Sequence, residues 1–368
     1  MRLAILADFP VKRLPGCEGG PTGYHATWLP PLAEGLEQIS HGHEIHWICC
    51  TKEVTRKTQL KAWGQTFHLL PRKKLSVEIL TRFVRERRLI GRCLAALKPD
   101  LVHAWGTEQG YALAAADYPA RKLLSIQGML QLLCERERQP WQMRVQARSE
   151  NRVLDSFGQI TVESDWAAER MMRYAPHARL DKFTYGVAPA WLEVERTPEA
   201  HPLVVFAGTL SRSKGVDTLL QAFRDSRLHQ VRLVLLGDGP LRGESSEQIS
   251  FSGHVPPEKA RLWMSRAWAL VHPTRADVCP NCVKEARVAG LPVVTTPEGG
   301  QVEWVEDGLS GVLHATGDVE GLIQGILRVT ESLETSRRMG QHKRQECRAE
   351  LSPRKSVMRW LEIVGQAT

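Results

Sequence analysis

The stretch DVCPNCVKEARVAGLPVVTT, residues 277–296, decides how the chain is read. It follows the short apolar run WALVHPT (268–274) and ends in a second one, LPVVTT (291–296), which frames a strand, helix, strand unit. Asn281 is a good N-cap residue and Gly290 stands where a C′ glycine belongs, so the reading places a helix of about two turns starting near Cys282. In a parallel unit that helix points its N-terminus out of the carboxyl ends of the strands. Open α/β sheets bind ligands there, and a helix N-terminus attracts phosphate. Asp277 lies in the loop before the helix and Glu285 about one turn inside it, so both carboxylates reach one ligand and suit the hydroxyls of a sugar and of a ribose. Cys279 and Cys282 carry less. A redox Cys-x-x-Cys opens the helix after the first strand of its unit, and a structural zinc needs a second ligand pair that the neighbouring sequence lacks. They read as small loop residues.

The length of 368 residues exceeds one ordinary core and suits two domains. A hydrophobic share of 42% beside 24% charged residues is the balance of a globular chain rather than a disordered one. No apolar run approaches the ~18 residues of a spanning helix. MRLAILADF at the start is too short for a signal peptide and reads as a buried first strand, which places the protein in the cytoplasm. The eight cysteines are scattered, unlike a secreted disulfide framework. Net charge is +8 and unevenly placed: residues 1–190 hold 27 Lys+Arg against 19 Asp+Glu, and the remainder holds 22 of each.

Strand-like and helix-like runs alternate from RLAILADF through HEIHWICC, DLVHAW, KLLSIQG and QITVES, which argues for parallel βαβ units. Residues 188–202, rich in proline and without periodicity, read as a linker; the pattern then restarts at LVVFAG. The expected organisation is a Rossmann-like domain over 1–187, the linker, and a second over 203–350. Single helices are expected over 77–97 and over 333–348, and a C-terminal helix over 351–368 is expected to pack back on the first domain.

With these residues in place, the chain resembles the retaining glycosyltransferases of family GT4, which have the GT-B fold: two facing Rossmann-like, doubly wound domains with a cleft between them. The carriers are an acid, seven residues and Glu285, followed by AxxxGLPVVTT. The resemblance implies a nucleotide diphosphate sugar as donor, no metal and no other cofactor. It puts the donor sugar on Asp277, which stands where the family usually has Glu, and the ribose on Glu285. It puts the sugar hydroxyls or the diphosphate on backbone amides near Asn281 and Cys282. FAGTLSRSKGVDTLLQAF (206–223) resembles the family's diphosphate-gripping turn, with Gly208 opening it and Lys214 as the expected lysine before glycine. Thr209 stands where an Arg is usual, and Arg212 is expected to replace it. Fixed cations beside a departing diphosphate stabilise developing charge, each such contact contributing about 3 kcal/mol to the barrier. Gly237 and His254 resemble positions around the base and ribose. In the first domain the loop with Gly19 and Gly20 resembles the family's donor-facing Gly-Gly turn, while Glu108 in GTE and Gln127 in SIQG resemble a capsule and exopolysaccharide subgroup and are expected at the reacting centre.

The resemblance implies hexosyl transfer with retention by same-face attack, in which the leaving phosphate helps take the acceptor proton, in cell-surface polysaccharide or glycolipid assembly. The expected acceptor is a saccharide or a lipid-linked saccharide. Residues 52–92 contain twelve basic and three acidic residues. Ile79, Leu80, Phe83, Val84 and Ile90 fall broadly on one side of a helix there, so an anionic membrane surface is an expected partner, at about 1 kcal/mol per basic residue close to the surface. No nucleic-acid motif accompanies the charge, and no nucleic-acid partner is expected. The rival readings are another two-domain sugar-nucleotide enzyme such as a UDP-sugar 2-epimerase, and a catalytically silent sugar-nucleotide-binding subunit of an assembly complex.

Overall fold

A computed structural model describes residues 1–17, 26–136 and 139–367. They divide into two compact units, Met1–Tyr185 with Ser356–Thr368, and Gly186–Lys355. The residues expected to link two domains, 188–202, belong to the second unit and contain the helical turn Pro189–Leu192.

The first unit is built on β1 (Arg2–Leu6), β2 (Glu44–Thr51), β3 (Thr58–Ala62), β4 (Gln65–Pro71), β5 (Leu101–Trp105), β6 (Arg121–Ser125), β7 (Gln159–Val162) and β8 (Arg179–Lys182). Their order across the sheet is β3-β4-β2-β1-β5-β6-β7-β8. The central strands are continuous apolar runs because helices cover both faces: Leu3, Ala4, Ile5 and Leu6 are all at most 1% exposed. The pairings are parallel except at one edge, where β3 and β4 form an antiparallel hairpin. The alternation of strand-like and helix-like runs does not reveal that hairpin. Its signal is the Trp63-Gly64 turn, both residues at positive φ (49° and 67°), between the alternately buried TQLKA and the mostly buried QTFHLLP.

The second unit carries β9 (Leu203–Ala207), β10 (Arg232–Leu236), β11 (Ile249–Gly253), β12 (Ala269–His272), β13 (Val293–Thr295) and β14 (Gly311–Leu313) in the order β11-β10-β9-β12-β13-β14, with parallel pairings throughout. In each sheet the chain builds outward from its first strand in one direction, then returns to the first strand's other side. Loops leaving the two strands at that reversal diverge, and the gap at their carboxyl ends is where such sheets hold ligands. The reversals fall between β1 and β5 and between β9 and β12.

Three helices differ from the sequence reading. The run expected as one helix across residues 77–97 is two, Leu75–Leu80 and Val84–Leu97, because Arg82 and Phe83 adopt positive φ (49° and 56°). Ile79, Phe83 and Ile90 are buried, whereas Leu80 is 67% and Val84 38% exposed, so the five residues expected on one side divide between core and surface. The helix expected over 333–348 breaks into Leu333–Gln341 and Arg344–Glu350 at Lys343, whose φ is 51°. Asn281 is the first residue of the helix Asn281–Ala289, not its cap; Pro280 holds that place in extended backbone, and Gly290 closes the helix at φ 84°.

The C-terminal helix Pro353–Gln366 contributes Val357, Trp360, Ile363 and Val364 to the apolar cluster of the first unit that contains Leu3, Ile5 and Trp47. Trp360 Nε1 donates to His103 Nδ1 at 3.0 Å, and His103 Nε2 is 2.7 Å from Ser125 Oγ, itself 2.7 Å from Thr161 Oγ1. An acceptor at Nδ1 leaves the imidazole neutral, and burial pushes its pKa down to about 3. Replacing Trp360 with Ala removes a 1%-exposed indole and is expected to lower stability to denaturant by about 3–5 kcal/mol. Trp360→Phe, which keeps the ring but leaves His103 Nδ1 unpaired, is expected to cost about 1–3 kcal/mol.

Candidate functional site

The second reversal point brings together residues 63 positions apart: Lys214 follows β9, Asp277 follows β12, and Lys214 Nζ donates to Asp277 Oδ2. Gly215 makes the approach possible. Its φ is 71° and a Cβ there would fall 1.8 Å from Pro273 O, so only glycine lets the turn after β9 lie against the end of β12. Asp277 is fixed from the other side by its backbone, with its N–H bonded to Glu298 O (3.2 Å) and its carbonyl accepting from Gly300 N (3.1 Å). His272, the last residue of β12, lies beneath with Nε2 3.5 Å from Asp277 Oδ2 and its ring stacked on Phe206. Burial alone would raise the Asp277 pKa. Lys214 and His272 outweigh that and hold the carboxyl well below the usual carboxylate range. Burial lowers the His272 pKa despite its acidic neighbour.

The helix Asn281–Ala289 starts four residues after Asp277. Pro280 O accepts from Val283 N (3.1 Å) and Lys284 N (3.4 Å), so the amides of Asn281 and Cys282 precede the first intrahelical donors and point out of the helix end. Cys282 Sγ is 3.5 Å from His272 Nδ1, and burial pushes its thiol far up, which keeps it from being a nucleophile. Glu285 is half-buried, one turn in. Burial raises its pKa to about 8, against the lowering effects of Lys284, Arg261 and a hydrogen bond with Trp191. Trp191 comes from the turn within 188–202, which thereby forms part of the Glu285 environment.

The other second-unit residues picked from sequence lie around this point with different degrees of engagement. Gly208 and Gly237 follow β9 and β10, where Gly208 N bonds to Leu236 O and Gly237 N to Gly253 O, both at 2.9 Å. Arg212 is exposed in the Lys214 turn and enters the structure through its carbonyl, which accepts from Gly215 N and from the Arg275 guanidinium. His254 is exposed just past β11.

In the first unit Gly19 and Gly20 lie outside the described residues. Glu108 and Gln127 do come together. A Cβ on Gly106 would fall 2.2 Å from Glu108 Oε2 and 3.2 Å from Gln127 Cγ, so the bare glycine leaves the place those side chains occupy. Burial, with Glu150 adding to it, raises Glu108 to about 7 against opposing backbone hydrogen bonds, and Gln127 Nε2 donates to Tyr185 OH at 2.9 Å. Ser164 caps the helix Asp165–Tyr174 by accepting from Ala167 N. Sequence reasoning missed a polar group at the first reversal point. Gln109 Nε2 donates to Asp8 Oδ2 (2.8 Å), and Arg72, at the end of β4, donates to Asp8 Oδ1 (3.0 Å), Glu86 Oε1 (2.7 Å), Tyr111 OH (3.0 Å) and Gln109 Oε1. Asp8 directly after strand one is a readable signal; Arg72 is hidden as long as β4 goes unrecognised. Among the described residues no group of three or more His, Cys, Asp or Glu is placed to hold a metal ion.

Superposition on solved structures assigns the architecture. Sucrose-phosphate synthase from Thermosynechococcus elongatus matches over 99% of this chain and 98% of its own, with a TM-score of 0.82 at 15% identity. The fold is GT-B. A second solved structure, Anabaena HepE in complex with UDP-glucose, matches over the full length of both chains with a TM-score of 0.70 at 14% identity. Residues 201–332, in the second unit and including Lys214, Asp277 and Glu285, match the family described as glycosyl transferases group 1. Glycogen synthase of Thermus thermophilus is 33% identical over 144 residues, which is 37% of this chain and 33% of that protein. The chain thus matches about a third of that relative's length.

In the ligand-free protein Glu285 holds its proton up to about pH 8, whereas in the unfolded chain it ionises near its ordinary value of about 4.3. The folded state therefore binds more protons in that window, and this residue's contribution to stability falls as pH rises through it. Glu285→Gln is expected to raise the thermal midpoint relative to the parent at mildly alkaline pH and to leave it nearly unchanged near pH ~4.5.

Proposed function

We propose that the chain transfers a hexosyl group from a nucleoside diphosphate sugar to an acceptor hydroxyl, with retention at the anomeric carbon and without a metal ion. The observation that carries this reading is the Lys214–Asp277 pair at the reversal point of the second sheet, one loop from the N-terminus of the helix Asn281–Ala289. A diphosphate placed there meets the Lys214 ammonium and the outward amides of Asn281 and Cys282, which stabilise the charge that develops as the sugar leaves. Asp277, ionised at all physiological pH, accepts from hydroxyls of the sugar, and Glu285 from the ribose diol. In the first unit Glu108, Gln127, Asp8 and Gln109 form the strand-end group available to substrate.

In the reaction the bond from the anomeric carbon to the diphosphate oxygen breaks, and the acceptor oxygen bonds on the same face. The departing phosphate oxygen takes the acceptor proton, so no pair of opposed carboxylates is required. The proposed acceptor is a saccharide or lipid-linked saccharide of cell-surface polysaccharide or glycolipid assembly. UDP-glucose in the HepE structure supports a nucleotide sugar as the donor class.

Slow release of nucleoside diphosphate from a panel of nucleotide sugars, without acceptor, tests the reading. Lys214→Ala is expected to lower that release by about 10²–10³. Donor binding with no release by the parent protein would favour the silent binding subunit instead. Because Glu285 must lose a proton to accept both ribose hydroxyls, nucleotide affinity is expected to rise as pH climbs toward about 8, by at most roughly tenfold per pH unit. Calorimetric titration of Glu285→Gln should show that dependence abolished.

A further inference from the structure

The segment that leaves Arg72 has an unusual surface. Of the ten large hydrophobic residues exposed among the described residues, four fall within ten positions: Leu75 (39%), Val77 (41%), Leu80 (67%) and Val84 (38%). Lys73, Lys74, Arg82 and Arg88 beside them are exposed. The only two acids between residues 73 and 92, Glu78 and Glu86, point the other way and are 1% and 0% exposed. Glu86 pairs with Arg72 at 2.7 Å and Glu78 lies 3.8 Å from Arg85. The outer face of this segment is therefore apolar and positively charged, with its negative charge folded inward.

The chain holds that face out by an unfavourable turn. Arg82 and Phe83 take consecutive left-handed conformations, which L residues avoid, and Phe83 is fixed there by burial against Gly110, where a Cβ would fall 2.9 Å from its own. The break turns Leu80 and Val84 outward while Ile79 and Phe83 stay in the core. Beside it the helix Trp141–Leu154 starts with Trp141, 46% exposed. Val145, one turn on, lines a small cavity together with Ile79 and Arg82, so Trp141 extends the same side.

We propose that the face formed by Leu75, Val77, Leu80 and Val84, ringed by Lys73, Lys74, Arg82 and Arg88, docks the protein on an anionic phospholipid bilayer. Exposed Leu and Val enter the boundary between headgroups and acyl chains, the basic ring meets the lipid phosphates, and a Trp at the margin is the residue type that favours this depth. A partner protein would need matching acids and an apolar surface; a bilayer with anionic lipid supplies both along the whole face. The segment begins one residue past Arg72, which is bonded to Asp8 at the first reversal point. Docking would thus set that strand-end edge beside the membrane, where a lipid-linked acceptor carries its saccharide. The proposal extends the lipid-linked acceptor reading but stands on residues outside the donor site.

Cosedimentation of the full chain with vesicles of phosphatidylcholine alone, and of equal parts phosphatidylcholine and phosphatidylglycerol, tests it. Binding is expected only to the anionic vesicles. Leu80→Ser with Val84→Ser, and separately Lys73→Glu with Lys74→Glu, are each expected to weaken it by roughly tenfold or more. Nucleoside diphosphate release by these variants should equal the parent's, which separates failure of docking from failure of the donor-site reading. Equal binding to both vesicle types, no binding, or a dimer in sedimentation velocity that the Leu80→Ser, Val84→Ser variant abolishes would each overturn the proposal.

Discussion

The structure depends on a constraint of parallel sheets: where the strand order reverses, two neighbouring loops diverge and cannot fill the space between them. Each sheet of this chain has one such point, and each places a polar pair across it. In the first unit the pair is Asp8 with Gln109, held by Arg72. In the second it is Lys214 with Asp277. Neither pair is local in sequence. Each exists because the strand order sets the ends of β1 and β5, or of β9 and β12, side by side.

The electrostatics of the second point divide labour between two acids of the same motif. Asp277 and Glu285 are eight residues apart, yet one is held ionised by Lys214 and His272 while burial keeps the other protonated at neutral pH. For the donor proposed above, a diphosphate at Lys214 would therefore compete with a carboxylate already in place, and a ribose at Glu285 would meet a neutral acid whose ionisation its hydroxyls favour. The lysine is thus kept oriented in the absence of ligand, and the burial that raises Glu285 is the environment in which a hydrogen-bonding ligand has most effect.

Much of this is legible because the motif from Asp277 to Thr296 contains its own punctuation: Gly290 closes the helix as expected, and LPVVTT supplies β13. The alternation of apolar runs marks the parallel strands β1, β2, β5 to β7, β9 to β10 and β12. What escapes shares a cause, dependence on tertiary context. The hairpin β3–β4 has partly polar, edge-strand character, and missing it hides Arg72. The helix run from 77 to 97 keeps helical periodicity through Arg82 and Phe83, and only the packing of Phe83 against Gly110 explains why the backbone turns there. His272 reads as an ordinary strand residue because its partners, Asp277 and Cys282, meet it through the fold.

Whether Lys214 and Asp277 act at one ligand is measured most directly by a calorimetric double-mutant cycle. Lys214→Met, Asp277→Asn and the double variant would be titrated with a nucleoside diphosphate and with the matching nucleotide sugar. Loss of Lys214 is predicted to weaken both ligands and loss of Asp277 to weaken the nucleotide sugar but not the diphosphate, with the two effects on the nucleotide sugar not additive. Unchanged affinities in both single variants would contradict a shared ligand at this pair.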